Sequence, residues 1–410
     1  MTGDSTVIEA LETQAELEAL GGRVDVYLHR SVERARAFAR PAVSGFAVGA
    51  AALGASGRTY LGYNVESARR PLHTTVHAEQ CAVALASALG DHITEIATSA
   101  PPCGHCRQFL LRYAPRARVH VARTEADEST ETYTVGELMP GRPPMAPAGV
   151  ELDRILEVVT GTERPEAPTR RPRALRLDER AEVRIGRHEA TVRAPRVEPA
   201  DPGLAIGPIA AGLVWARERH GVAPDRVGTG SSPSGDDRQV AYDWSPSTIL
   251  ATPTESDRAA ALLPRPFGFF DLAVEDSPYD ATRWKLRASV RDALDGAALA
   301  AARAAFAPST RSPSGVAIET PDGIATGGFV ESSAFNPSAT ALAVALVLLA
   351  ASGWDPRAVR RVAFAEWAEA PALYADWTRE MVASLWPQAR FRVVSARLEP
   401  SRDARDGDRQ

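Results

Sequence analysis

Two short motifs constrain this chain more than anything else in it: His77-Ala78-Glu79, then Pro102-Cys103-Gly104-His105-Cys106. One imidazole and two thiolates make a nitrogen–sulfur donor set that suits Zn²⁺, and three protein ligands leave a fourth tetrahedral position open. Two thiolates also cancel the ion's formal charge, so such a site tolerates a dry pocket. Zinc held this way activates water near neutral pH. Glu79, two residues from a ligand, is placed to take that proton and return protons to a substrate. The flanking residues put both motifs at helix starts. After Glu79, Cys81, Leu85 and Leu89 recur every four residues before Gly90, which predicts a helix with one apolar face. Pro102 suits the first turn of a second helix, where Cys103 and Cys106 share a face and Phe109, Leu110 and Tyr113 continue the spacing. The positive end of that helix favours thiolates. A redox pair would require neither the glutamate nor the proline.

Composition narrows the classes. A length of 410 predicts two or three domains, and 44% apolar with 24% charged residues is ordinary for a globular protein. The net charge of −5, from 47 Lys and Arg against 52 Asp and Glu, argues against a nucleic-acid partner held through phosphates. Three cysteines, two assigned to the metal, leave no disulfide framework, and a cytoplasmic location is expected. The acidic start Met1–Thr6 lacks the pattern of a signal peptide. Leu342–Ala351 is the most apolar run and is shorter than the roughly 20 residues a bilayer needs. It reads as a buried helix, and no membrane partner is expected.

In chain order, residues 1–40 read as helical, with Leu11, Leu17 and Leu20 and then Val24, Leu28 and Val32 on apolar faces. Phe46–Leu53 and Thr59–Tyr63, joined by a turn at Gly54–Gly57, read as a hairpin. A strand near Ile93–Ala97 and an alternating strand at Arg118–Ala122 complete a β-β-α-β-α-β order, which predicts one α/β layered domain.

These residues carry a resemblance. The H-x-E and P-C-x-x-C spacing is the signature of zinc nucleobase deaminases. With Phe46-Ala-Val-Gly-Ala-Ala, Tyr63-Asn-Val-Glu-Ser67 and Thr75–Gln80, the chain resembles cytidine deaminases, and its His-Cys-Cys set is similar to the long, dimeric type. The resemblance implies a three-layer α/β/α domain, one Zn²⁺ per chain on His77, Cys103 and Cys106, and Glu79 as the proton shuttle. It also implies that Asn64 and Glu66 hold the ribose 3′-hydroxyl and that Phe46 packs on the pyrimidine, although Phe46 suits a plain core role equally. Ala78 and Pro101 fall at the base-binding edge; Pro101 replaces the family's usual Ser or Thr but keeps the carbonyl that contacts the departing amine. Cys81 reads as core, His73 as a loop residue and His105 as a neighbour of the ligands or exposed.

Residues 136–261 fit the family poorly. Gly141–Pro147 and Thr162–Arg173 read as linkers. Ala181–Ile185 and Glu189–Arg193 alternate as a hairpin, Ile206–Arg219 reads as a helix, Gly228–Gly235 as a flexible loop, and Gln239–Trp244 and Thr248–Ala251 as strands. This is an inserted small α/β module of unknown role. The pattern resumes at Leu262–Leu272, where the resemblance makes Phe267 a lid over the base across a subunit boundary; a core role fits it as well. Ser314–Glu319, Gly328–Ser332, Leu342–Leu346 and Pro371–Ala375 then echo the first domain without its ligands or glutamate. The expected organisation is a catalytic domain (1–135), the insertion (136–261), a connector with a duplicated non-catalytic repeat (262–400) and a tail (401–410).

The expected function is zinc-dependent hydrolytic deamination of cytidine, 2′-deoxycytidine or a related cytosine nucleoside by a cytoplasmic homodimer of pyrimidine salvage. The insertion and Pro101 motivate an alternative, a specialised antibiotic or modified cytosine nucleoside as substrate. From another class, a non-catalytic zinc-containing nucleoside-binding protein would keep the ligands but would not require Glu79. A polynucleotide editor is disfavoured by the charge.

Overall fold

The computed structural model describes residues 6–124, 127–142, 149–162, 173–198, 201–204, 206–280 and 284–399. Most of both linker stretches and the tail lie outside the described residues. In the first unit, helices α1 (Ala10–Ala19) and α2 (Val24–Arg36) precede the hairpin β1 (Gly49–Gly54) and β2 (Thr59–Tyr63). Helix α3 (Ala78–Ala88), β3 (Ile93–Thr98), α4 (Gly104–Tyr113), β4 (Arg118–Thr124) and β5 (Asp127–Thr134) follow. Strands run in the order β2-β1-β3-β4-β5, with the two-residue strand Val7–Ile8 on the outer edge of β2. Neighbours are antiparallel except for β3 and β4. The small-residue run in β1 makes a thin sheet with two usable faces: Ala51 joins Tyr27, Leu28 and Val32 of α2 on one side, while Ala50 and Ala52 join α3 on the other. The expected α/β/α layering is therefore observed.

This topology is what brings the two motifs together. Strands β2 and β3 both pair antiparallel to β1, one on each side, so they run the same way. The helices that follow them, α3 and α4, consequently start at one edge of the sheet. Two apolar positions depart from expectation. Leu89 is exposed because α3 ends at Ala88, and Leu11 is exposed on α1, whose apolar contact to the sheet is carried by Leu17 and Leu20 instead.

Helix α5 (Gly149–Thr160), unforeseen in the sequence, lays Ile155, Val158 and Val159 against the α3 face of the first unit. The middle module then contains β6 (Ala174–Ile185), β7 (His188–Glu198), α6 (Pro208–His220), β8 (Arg226–Thr229), α7 (Gly235–Trp244), β9 (Ile249–Ala251) and β10 (Ser256–Arg258). The expected strand at Gln239–Trp244 is the last half of α7. Ser234 caps that helix by accepting from Asp237 N at 3.0 Å, which outweighs the β-prone look of Val240 and Tyr242. The sheet order is β7-β6-β8-β9-β10, again antiparallel throughout except for one parallel pair, β8 with β9. Its helices cover one face, where Ala181 and Val183 are buried; Glu182 and Arg184 face outward.

The third unit has β11 (Leu286–Arg287), α8 (Ala293–Arg303), β12 (Ser314–Thr320), β13 (Gly323–Gly328), α9 (Ala341–Ala351), β14 (Arg361–Trp367), α10 (Ala375–Leu385) and β15 (Arg390–Leu398). Its order, β13-β12-β14-β15-β11, repeats the same pairing directions. Gly62 in β2 and Gly327 in β13 play one part in both repeats. A Cβ at either would collide with the first carbonyl of the following helix, Ala78 O or Ala341 O. Helix α9, apolar on every side, is buried from Ala341 to Leu349 as expected, because it lies between its own sheet and the middle module in one shared core.

Candidate active site

His77 occupies the N-cap position of α3 and Cys103 that of α4, so the shared sheet edge brings their side chains together. His77 Nδ1 lies 3.2 Å from Cys106 Sγ and 3.6 Å from Cys103 Sγ. Among the described residues these three form the metal-competent cluster, with ligand atoms all within 4.8 Å of one another. Their chemistry fits zinc: one imidazole nitrogen and two sulfurs converge on a point.

The tautomer of His77 is fixed from outside the first unit. Nε2 is 2.8 Å from Asn336 Oδ1, and the Asn336 amide nitrogen donates to Thr75 O at 3.0 Å. With its nitrogen so engaged, Asn336 offers only its oxygen, so Nε2 carries a hydrogen and Nδ1 is the nitrogen that faces the sulfurs. Nothing local in Phe335-Asn336-Pro337 marks this role. The missed signal was a polar residue kept in a copy that had lost every ligand.

Both thiols are buried. Burial opposes ionisation of Cys103, but the Cys106 thiol and the His77 imidazole outweigh it and hold its pKa well below the usual thiol range. Burial and the Cys103 sulfur beside it push Cys106 well above that range. One thiolate is thus ready; against burial it holds the His77 pKa up at about 9, so loading a metal expels protons from Cys106 and from His77. Glu79 is 4% exposed, and burial, with Cys103 adding to it, raises its carboxyl pKa while His77 opposes. A carboxyl poised upward in this way suits a group that must both take and give protons.

A cavity of about 480 Å³ opens beside the cluster. Of the sequence-predicted site residues, His77, Ala78, Glu79 and Cys103 line its floor, and Phe46, Asn64, Glu66, Pro101 and Phe267 line its walls; Cys106 sits behind Cys103, fully buried. The third unit closes the cavity with Ser333, Ala334 and Phe335. Phe46 and Phe267 pack with ring centroids 5.8 Å apart, so Phe267 reaches the pocket of its own chain. Asn64 braces the loop before β1, accepting from Val48 N at 2.9 Å and donating to Phe46 O at 3.0 Å. Glu66 accepts from Val43 N, Ser44 N and Ser44 Oγ at 2.6–2.9 Å. Each side chain keeps spare capacity, one amide hydrogen on Asn64 and a lone pair on Glu66, to meet a hydroxyl.

Several neighbours hold the ligand loop still. Gln80 accepts from His77 N at 2.9 Å and touches His105, whose Nδ1 is 2.8 Å from Asp236 of the middle module. Arg107, completely buried, donates to Pro102 O at 2.7 Å and Leu138 O at 2.8 Å and also to Pro264 O and Arg265 O, clamping the ligand loop to the connector that carries Phe267. Cys81 is core, as expected. His73 is not a free loop residue: it is buried against Trp377 at 5.0 Å, and burial lowers its pKa to about 3, so it stays neutral.

An α/β unit that brings His-Cys-Cys and a buried glutamic acid to one sheet edge, beside a lined cavity, defines a zinc-dependent hydrolytic class of site. Two family models, both described as the cytidine and deoxycytidylate deaminase zinc-binding region, match residues 23–122 and 260–379, together more than half of the chain. The chain belongs to this cytidine-deaminase-like zinc-binding family and carries its unit in duplicate. Cytidine deaminase 1 of Arabidopsis thaliana is 38% identical over 138 residues, 33% of this chain and 46% of the relative. Cytidine deaminase of Serratia proteamaculans (strain 568) is 27% identical over 354 residues, 86% of this chain and 77% of the relative. The match thus spans about half of the Arabidopsis protein and most of the Serratia one. A crystal structure of cytidine deaminase from Burkholderia pseudomallei is 30% identical with a TM-score of 0.26, covering 28% of this chain and 94% of that chain. Among the described residues no helix is long and apolar enough to cross a membrane.

Proposed function

We propose that the protein is a zinc-dependent deaminase of a cytosine nucleoside, cytidine or 2′-deoxycytidine, releasing ammonia and the uracil nucleoside. The observation that carries this reading is Glu79, buried where it lines the pocket and within two residues of a metal-competent ligand. A purely structural zinc site requires no such acid. His77, Cys103 and Cys106 would hold one Zn²⁺, which when bound supplies Lewis acidity and an activated water. Glu79 takes a proton from water and delivers protons to N3 of the ring and then to the leaving amine. Phe46 and Phe267, packed on each other, form one apolar wall for the pyrimidine and exclude solvent, while Pro101 offers its carbonyl to the departing amine. Asn64 and Glu66 read the 3′-hydroxyl with the donor and acceptor capacity left after bracing their loop.

Phe267 and the third-unit residues Ser333, Ala334 and Phe335 line the pocket of their own chain. Incubating the purified protein with a panel of cytosine nucleosides and following loss of the amine by absorbance tests the reading. Turnover of cytidine or 2′-deoxycytidine is expected. Turnover confined to a modified base or sugar would favour the specialised substrate that the rigid Pro101-Pro102 edge suits. No turnover by the zinc-loaded protein would overturn the reading.

A further inference from the structure

The middle module, matched by neither family model, has the strand order and pairing directions of the first unit. The helix-start motif recurs too: Pro102-Cys-Gly-His-Cys-Arg-Gln108 is answered by Pro233-Ser-Gly-Asp-Asp-Arg-Gln239. Proline, glycine, arginine and glutamine keep their places, while Ser234 and Asp237 stand where Cys103 and Cys106 do. Gly207, the N-cap of α6, stands where His77 caps α3. The module is a third copy of the unit, stripped of its ligands.

The two motifs meet about a local two-fold axis. Gly104 N donates to Gln239 Oε1 and Gly235 N donates to Gln108 Oε1, both at 2.7 Å. A Cβ on either glycine would run into the other's carbonyl oxygen, so only glycine permits this approach. Arg107 and Arg238 each donate to the proline carbonyl of their own motif and then to the connector, at Pro264 O and Leu262 O.

The symmetry fails at one point. Gln239, fully buried, also uses its amide nitrogen, which is 2.9 Å from Phe267 O, 3.1 Å from Ser333 Oγ and 3.0 Å from Asp243 Oδ1. Asp243 in turn accepts from Ser332 Oγ, Ser333 N and Ser333 Oγ at 2.6–2.9 Å. One side chain from the silent copy therefore touches the ligand helix beside Cys103, the backbone of the Phe267 wall and the third-unit loop that closes the cavity. We propose that Gln239 is a positioning residue for the active site, and that the middle module is retained as a built-in neighbour that supplies it.

This rests on the deaminase reading above, and the test separates the two. Gln239→Ala and Gln108→Ala each remove one half of the symmetric glycine contact, so a purely structural role costs both variants alike. Expected for Gln239→Ala, but not for Gln108→Ala, is a zinc dissociation constant raised roughly 10–100-fold in chelator competition, the range for outer groups that orient ligands. Its KM for cytidine should also rise. Equal zinc affinities and equal KM values in the two variants would overturn the proposal. If Gln239→Ala does not fold, Gln239→Met decides: it keeps the bulk of the side chain but neither the acceptor for Gly104 N nor the donor to Phe267 O, so the zinc dissociation constant and KM should both rise, and wild-type values would sink the idea. Should the wild type deaminate no nucleoside, the functional reading fails, while the zinc affinities still judge Gln239.

Discussion

At the scale of single residues, the site separates groups that hold from groups that react. Glu79→Gln preserves shape and leaves the His77, Cys103 and Cys106 sulfurs and nitrogen in place, but it removes a group that must both accept and donate protons. We expect a zinc-loaded Glu79→Gln protein to lose turnover by at least about 10²–10⁴-fold, the usual worth of general acid–base work. Metal analysis beside a rate assay checks both halves, and near-normal turnover would remove Glu79 from the chemistry. Asn64 and Glu66 make a different prediction. If they read the 3′-hydroxyl, 3′-deoxycytidine leaves buried polar atoms unpaired and should react far more slowly than cytidine. Equal kcat/KM for the two would show that these side chains only brace the loop from Val43 to Val48. The ligands and Glu79 were legible in sequence because metal chemistry fixes residue types and spacing together. Asn336 and Gln239 were not, since an amide acting across a long sequence separation leaves no local pattern.

At the scale of elements, the buried helix α9 and the acids around it make their own demands. Leu346 is fully buried where the third unit meets the middle module. Leu346→Ala should cost about 2–5 kcal/mol, measured by denaturant unfolding, with the zinc site intact in what remains folded. Three buried carboxyls nearby carry a pH signature. Burial pushes Asp243, Glu331 and Glu366 up to about 7, against their hydrogen-bond donors, with Asp376 raising Glu366 further and Arg69 opposing. The folded state then keeps protons that the unfolded chain releases from about pH 4 upward. Their contribution is full below the ordinary carboxylate range and is lost as pH climbs towards 7, so the melting temperature should be higher near pH 5.5 than near pH 8. Depressed acids such as Asp292 act only at lower pH, outside this window, and neutral His73 opposes the three carboxyls only up to the ordinary imidazole value of 6.5. Glu331→Gln should flatten part of the slope, and a melting temperature that rises over this range would contradict the assignment. Helices and strands with clear periodicity were legible, whereas α7 was misread because its cap outweighs its local β-prone composition.

At the scale of the whole molecule, three units that share a four-stranded plan, a hairpin followed by two parallel strands, have divided the work. The first holds the ligands and Glu79, the third supplies Asn336 and the wall from Ser333 to Phe335, and the middle one seats Gly235 and Gln239 against the ligand helix. The repetition of the third unit could be read from its glycine and apolar echoes. That of the middle unit could not, because what survives of it is a backbone plan and four scattered motif residues. Two consequences follow from this division. The protein should bind one zinc per chain, since neither other copy places a histidine or cysteine at the ligand positions. Its specific activity should also stay constant on dilution, because Phe267 and Ser333–Phe335 line the pocket of their own chain, whatever association light scattering finds. Removing residues 285–410 strips His77 of Asn336 and opens the cavity, so that truncation should be insoluble or inactive. Two tightly bound zinc ions per chain, activity that falls steeply with dilution, or a fully active truncated protein would each show that the three units do not share one site.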